Sequence, residues 1–159
     1  MPQLVKRGKY VFGWTSVNNN CSIRIPDEAY EEYKYTENDI LILISGSRSS
    51  GGFSINRLTS VLNSKFGNNI LQTLGYDDVT ETFVTEHLET VRLANRLLCY
   101  TKMLKDRYFK LSETVIEKLD ININDKLLGI RGSGVGVSFL SKGLIFNEAL
   151  KHSSILQFD

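Results

Sequence analysis

The chain has 159 residues, of which 42% are hydrophobic and 23% charged, and its formal net charge is +1. This length and composition are typical of a water-soluble protein with one domain, or two very small ones, and enough length to bury a core. It excludes a strong overall field that would recruit nucleic acid or anionic lipid, and no apolar run approaches the roughly 18 residues of a membrane span. The N-terminus lacks the apolar segment of a signal peptide, so we expect a cytoplasmic protein. The two cysteines, Cys21 and Cys99, show neither metal-site spacing nor a disulfide framework.

The first third of the chain predicts two pairs of strands around a short helix. Strands are expected at about 9–17, 21–25, 39–45 and 52–55. The first two are β-branched and aromatic, and the Asn run between them suits a hairpin turn. A helix is expected to begin at Pro26, because proline fits the first helical position and Asp27 and Glu28 follow at the positive end of the helix dipole. Asn38 and Asp39 then form a turn into an apolar strand that is typical of burial on both faces.

A Gly-Ser sequence, "GSRSSGGF", follows the third strand. It lacks the Lys and Ser or Thr of a P-loop, and the related "GSGVGVSF" near the C-terminus lacks the third glycine of the dinucleotide fingerprint. Because Gly46 and Gly132 each follow a buried strand, we interpret both loops as turns or bulges. A small-anion sensor that uses these loops with Arg48 and Arg131 is an alternative.

The second half repeats the first at an offset of 86 residues. Without a gap, residues 9–53 match residues 95–139 at nine identical positions, where average residue usage predicts about three by chance. The repeat sets further strands at about 95–103, 107–111, 125–131 and 136–141. It also predicts a short helix capped by Ser112.

The repeat predicts both the fold class and the domain plan. We expect an α+β, mainly β, protein in which residues 1–159 form a single domain. Its two ββαββ units are residues 9–66 and 95–152, and residues 67–94 form a linker that is long for a structureless loop. Each unit is expected to end in a further helix, at "INRLTSVLNSKF" in the first and at "LIFNEALKH" in the second.

The unit "IRIPDEAYEEYKYTENDILIL" is similar to the AbrB/SpoVT family of swapped-hairpin transition-state regulators, which includes MazE-type antitoxins. The motifs that carry the resemblance are the dipeptides before and after the short helix: Ile25-Pro26 and Asn38-Asp39, repeated as Leu111-Ser112 and Asn124-Asp125. The resemblance covers roughly residues 9–45 and 95–131. It implies two units that exchange hairpins and form one small barrel, here as a pseudo-dimer within one chain that is monomeric or a homodimer.

Most members of that prokaryotic family are DNA-binding transcription regulators, so the resemblance implies DNA as a partner. This sequence departs from the family pattern, because Ser22 and Tyr108 stand where the family has a basic residue before its second strand. We therefore expect phosphate contacts from basic residues at the N-terminus and on the second hairpin. These residues are Lys6, Arg7, Lys9, Lys102, Lys105, Arg107 and Lys110. The alternative is that these residues form an ordinary solvent-exposed hairpin face with no role in DNA binding.

The sequence shows no catalytic pattern. Neither His87 nor His152 has a Cys or acid at a recognisable spacing, so we expect no enzyme, no cofactor and no metal site. Residues 27–39 carry six acids against one lysine, a charge that repels phosphate. The acidic helix and the near-zero net charge also suit a protein-interaction module, antitoxin-like or a scaffold, and this alternative stays open.

Overall fold

The computed structural model describes residues 9–83, 90–132 and 134–159. It confirms an α+β protein that is mainly β. The first part of the chain forms strands β1 (Val11–Ser16), β2 (Ser22–Arg24), β3 (Ile40–Ser45) and β4 (Phe53–Arg57), and helices α1 (Asp27–Glu32) and α2 (Leu58–Leu62). The middle forms helix α3 (Gly67–Thr73) and strands β5 (Tyr76–Asp77), β6 (Thr82–Phe83) and β7 (Val91–Leu93). The last part forms β8 (Arg96–Lys102), a 3-10 turn (Lys105–Arg107), β9 (Tyr108–Lys110), α4 (Glu113–Lys118), β10 (Lys126–Arg131), β11 (Val137–Leu140), α5 (Leu144–Ala149) and β12 (Gln157–Phe158).

Local side-chain bonds fix the ends of several elements. Ser112 caps α4 as predicted, because its hydroxyl accepts a backbone N–H from the first turn at 3.2 Å. Before β3 the carboxylate of Asp39 accepts the N–H of Thr36, and before β10 Asp125 accepts the N–H of Asn122, both at 2.8 Å. These matched turns direct the chain into the two central strands.

Among the described residues, eight strands form one sheet in the order β12-β1-β10-β11-β4-β3-β8-β7. β12 runs parallel to β1, and the other neighbours are antiparallel. In the part of the chain that the structure describes, β12 and β7 are free edges of this sheet, so the expectation of a closed barrel is wrong. β2 and β9 pair separately as a two-stranded ribbon.

Strands of one half pair with strands of the other half. β1 pairs with β10, β3 with β8, and β2 with β9. The first two strands of each half, expected to pair as a hairpin, share no extended ladder among the described residues, but a single antiparallel bridge between Met103 and Phe109 joins them in the second half. The two pairings have the same register at the 86-residue offset. Trp14 pairs with Leu128, and the residues equivalent to them, Tyr100 and Ile42, pair with each other.

The backbone conformation recurs at the same offset. Three pairs of residues have positive φ: Cys21 and Arg107 at 66° and 72°, Lys34 and Asp120 at 60° and 58°, and Asn38 and Asn124 both at 73°. Residues other than glycine adopt this conformation uncommonly. The match therefore shows that the two halves share local backbone geometry as well as residue types.

The correspondence shifts in the loop after the third strand of each half. Ser45 pairs with Phe53, whereas Arg131 pairs with Val137, so the first loop has seven residues and the second five. The ungapped match of Phe53 with Phe139 is therefore wrong as a structural equivalence. These two residues are instead partners across β4 and β11 at the middle of the sheet.

The main core lies between one face of the sheet and the β2–β9 ribbon with α1 and α4. At its centre the rings of Phe53, Phe109 and Phe139 contact one another. On the other face α2 and α3 cover β3 and β8, while α5 covers β1 and β10. The segment expected to be a linker thus contributes α3 and β7 to the fold. None of the helices described is long and apolar enough to cross a membrane.

Candidate functional site

The structure gathers three of the predicted phosphate-binding residues at one corner. Lys102 ends β8, Lys105 lies in the turn that follows, and Lys110 ends β9; all three side chains are exposed. We call these three residues the lysine corner. Lys9 precedes β1 and lines a different groove across the middle of the sheet. The predicted contacts at positions 6 and 7 lie outside the described residues.

Lys102 and Lys110 lie next to each other. An antiparallel bridge pairs Met103 with Phe109, which places the two lysines opposite each other on adjacent chain segments. The Thr101 hydroxyl donates to the Lys110 carbonyl at 2.8 Å and holds the segments together. Among the described residues, no acid forms an ion pair with the lysine corner. Like charges opposite each other destabilise a pair of strands, so a bound anion would relieve this repulsion.

Arg107 belongs to a different group of charges. Its guanidinium lies 2.8 Å from Asp27 and 3.9 Å from Glu31, and 4.8 Å above the Tyr30 ring. Arg24 contacts the same Asp27 oxygen at 2.9 Å. Both arginines therefore neutralise the acidic face of α1, and these contacts occupy Arg107, which we leave out of the lysine corner.

The equivalent corner of the first half carries less free charge. At the 86-residue offset, Ser16 and Arg24 take the places of Lys102 and Lys110. Arg24 is tied to α1 as described and also lies 5.5 Å from the Phe158 ring. The two positions therefore hold a serine and an ion-paired arginine in the first half, and two exposed lysines in the second.

From a second group of basic residues the sequence indicated only Arg48, as part of the small-anion sensor. Arg48, Arg92, Arg96 and Lys118 line one cleft of about 550 Å³ beside the loop after β3. They come from the β3–β4 loop, β7, the start of β8 and the end of α4. No acidic residue lines this cleft within residues 9–83, 90–132 and 134–159. We call these four residues the basic cleft.

The equivalent place in the other half is neutralised. Arg131 forms a bidentate pair with Glu32, with Nε 2.8 Å from Oε2, and its guanidinium lies 4.5 Å from the Tyr10 ring. The hydrogen bonds from Arg131 lower the pKa of the Glu32 carboxyl. We call these three residues the paired cleft. The residues at the same repeat positions in the basic cleft are Ser45, Lys118 and Arg96.

The two arginines proposed for the small-anion sensor lie in different surroundings. Arg48 lines the basic cleft, whereas Arg131 is bonded to Glu32. The sequence held one signal for the basic cleft, namely the change from Glu32 in the first repeat to Lys118 in the second. This change of charge indicates a basic cleft only together with Arg92 and Arg96, and these residues lie beside Lys118 only in the folded chain.

The first Gly-Ser loop is a tight connection between β3 and β4. The N–H of Gly46 donates to the carbonyl of Gly52 at 2.9 Å. Gly52 has a φ of 67°, and a Cβ there would lie 1.8 Å from the Phe139 carbonyl oxygen. These contacts support the interpretation that this loop is a turn whose glycines are required by the backbone conformation. In the second loop, position 133 lies outside the described residues.

The described residues contain no group of three or more His, Cys, Asp or Glu side chains that could hold a metal ion. Cys99 is buried, and burial raises the pKa of its thiol to about 12, which keeps it protonated and unreactive near neutral pH. His152 lies 3.9 Å from Glu148 at the end of α5. The position of His87 lies outside the described residues.

Comparison with models of protein families finds no match for this chain. Comparison with curated proteins also finds no significant relative. The charges and contacts of the sites themselves therefore carry the inference about function.

Proposed function

We propose that this chain is a cytoplasmic, non-enzymatic DNA-binding transcription regulator of the AbrB/SpoVT swapped-hairpin type. Residues 9–66 and 95–152 are, in this proposal, two fused copies of one unit within a single domain. The pairing of β1 with β10 and of β3 with β8 supports exchange between the copies. The recurrence of positive φ at the 86-residue offset supports their common origin.

The observation that carries the DNA-binding proposal is the lysine corner. Three exposed ammonium groups lie where β8 leads into β9, without an acidic partner among the described residues. Flexible lysine side chains suit contacts with phosphate oxygens. The pairing of Arg24 and Arg107 with Asp27 reduces the repulsion that the neighbouring acidic helix would exert on DNA.

This arrangement predicts binding that depends strongly on salt and little on sequence. Phosphate contacts position a protein on DNA but do not read bases. Three neutralised phosphates correspond to a slope of about −2.7 in log K against log salt, at about −0.9 for each phosphate. We therefore expect weak to moderate affinity that falls steeply as salt is raised.

A salt titration of binding to pooled duplex DNA fragments tests the proposal. The variant Lys102→Ala/Lys105→Ala/Lys110→Ala should weaken binding to all fragments and remove most of the salt slope. The matched control Lys65→Ala/Lys142→Ala/Lys151→Ala removes the same charge from other exposed positions and should change the affinity little. Equal losses in the two variants would reject the lysine corner as the contact surface.

A protein-interaction module is the second candidate. It is favoured by Glu28 and Glu31, whose exposed side chains on α1 suit a basic partner. If the wild-type chain fails to bind DNA at about 50 mM salt, where phosphate-binding proteins hold strongly, the regulator proposal fails and this candidate replaces it.

A further inference from the structure

We propose that the basic cleft binds a small oligophosphate, either a free chain or the phosphate chain of a nucleotide. This binding site is separate from the lysine corner and does not depend on DNA binding. Its volume of about 550 Å³ lies within the range of about 300–1,000 Å³ that is typical of ligand sites.

Four cations converge on this cleft from four separate elements of the fold. Arg48, Arg92, Arg96 and Lys118 all line it, and the residues described around it include no acid to offset them. An ion with one negative charge would leave most of this charge uncompensated. A chain of two or three phosphates carries several negative charges and offers planar sets of oxygens to the two-pronged arginine side chains.

Neutral acceptors hold two of these side chains in place. Arg96 donates from Nη1 to the Ser45 carbonyl at 2.8 Å, and Lys118 donates from Nζ to the Thr90 hydroxyl at 2.8 Å. An arginine has five N–H donors and a lysine three. Most donors of both side chains therefore stay available to a ligand, while the side chains themselves are already oriented.

The architecture alone does not explain these charges. Lys118 lies in the last turn of α4, where the helix dipole favours a cation, but this effect accounts for one of the four residues. The paired cleft lies at the same repeat positions, although its loop is two residues shorter, and there Glu32 and Tyr10 take the places of Lys118 and Arg96. The fold is thus compatible with a neutral cleft at this position, and the cations serve another purpose.

The basic cleft and the lysine corner can be tested separately. Arg96 and Lys102 mark opposite ends of β8, and six residues of extended strand span about 20 Å. Substitutions at one end leave the side chains at the other end in place.

The experiment is calorimetric titration of the full chain with tripolyphosphate, pyrophosphate, phosphate and ATP at about 150 mM ionic strength, close to the physiological value. We expect tripolyphosphate to bind at least about tenfold more tightly than phosphate. The variant Arg96→Gln/Lys118→Gln should weaken tripolyphosphate binding at least about tenfold. The control Lys102→Gln/Lys110→Gln should stay within about twofold of wild type, because exposed charges farther apart than about 8 Å are screened at this salt.

Arg48→Gln is a second variant that should leave folding intact, because Arg48 lies in an exposed loop. It should weaken tripolyphosphate by about threefold or more. Affinity for ATP equal to that for tripolyphosphate supports the phosphate chain as the whole ligand, and tighter ATP binding supports a nucleotide. No binding of tripolyphosphate to the wild type, or equal losses in the two double variants, would overturn the proposal.

Discussion

The basic cleft and the paired cleft occupy equivalent positions in the two halves, but they differ in charge. The paired cleft is neutralised by an ion pair, whereas the described residues of the basic cleft are four cations without an acid. In the paired cleft Arg131 is bonded to Glu32 and stacked on Tyr10. In the basic cleft the matching positions hold Ser45, Lys118 and Arg96, and no acid among the described residues faces them. The matched positions therefore hold an ion pair in one half and hydrogen-bond donors without an acidic partner among the described residues in the other.

This difference between the two clefts is possible because both copies of the unit belong to one chain. Two identical chains would carry the same residues in both clefts. In one chain each copy changes separately, so one cleft can keep a pair that ties α1 to β10 while the other presents cations to solvent. Substitutions at matched positions test this contrast.

The largest effect is expected from exchanging the charges at the matched position. Lys118→Glu places a carboxylate beside Arg96 and lowers the charge of the basic cleft by two. Tripolyphosphate affinity should fall by about 30- to 100-fold, which corresponds to about 2–3 kcal/mol. The reciprocal change Glu32→Lys releases Arg131 and should create a second, weaker site. Calorimetric affinity and stoichiometry measure both effects, and unchanged affinity in the Lys118 variant would contradict the contrast.

The two Gly-Ser loops should differ in their tolerance of a side chain. A Cβ at Gly46 would lie 2.2 Å from the Gly51 carbonyl oxygen, whereas a Cβ at Gly132 would lie 2.3 Å from the Ser138 hydroxyl oxygen. A hydroxyl can rotate away, but the backbone of a tight loop cannot. We expect Gly46→Ala to cost about 2–3 kcal/mol of unfolding free energy and Gly132→Ala less than about 1 kcal/mol. Urea denaturation measures both, and equal costs would refute this distinction.

The matched threonines on β1 and β8 provide a smaller contrast. Thr101 donates its hydroxyl to the Lys110 carbonyl at 2.8 Å. The equivalent Thr15 hydroxyl is buried and has no partner among the described residues. Thr101→Val should therefore cost about 1 kcal/mol, while Thr15→Val should be neutral or stabilising by about 0.5–1 kcal/mol. Thermal melts of the two variants test this, and a larger loss at Thr15 would contradict it.

The smallest effect concerns pH. Arg131 lowers the pKa of Glu32 below its ordinary value of 4.5. The pair therefore stabilises the fold fully above the unfolded pKa, and this stabilisation is lost as pH falls through the lower, folded pKa. Glu32→Gln should reduce stability by a few tenths of a kcal/mol at about pH 7, because the pair is partly exposed.

The stability difference between wild type and Glu32→Gln should shrink in melts as the pH falls below the range where an unpaired carboxyl titrates, and disappear once the pH is below the lowered pKa of Glu32. The matched variant Lys118→Gln in the basic cleft removes no carboxylate. Its stability relative to wild type should stay constant over the same acidic range. A difference at Glu32 that persists in strong acid would point to lost packing instead of lost charge.

Elements with a local signal could be predicted from the sequence. The Asn38 and Asn124 turns, the Ser112 cap and the apolar strands depend on neighbouring residues, and the structure has them where the pattern places them. The repeat also identified β8 as a strand, although its residues alone would suit a helix.

Features that depend on distant contacts could not be predicted in the same way. The residue identity of Phe53 and Phe139 hides a change in loop length that appears only in the strand register. Helix α3 folds onto an apolar face that exists only after β3 and β8 pair. The basic cleft likewise requires Arg92 and Lys118, which belong to different elements, to meet.

The pairing of strands between the two halves has a consequence for synthesis of the chain. β1 ends at Ser16, and its partner β10 begins at Lys126. At about 5–20 residues per second, roughly 5–20 s pass between the appearance of one strand and the next. During that interval the apolar residues of β1 have no native partner, so the first half is exposed to aggregation or to pairing with a neighbouring nascent chain. Fusing the two copies ensures that the correct partner follows on the same chain.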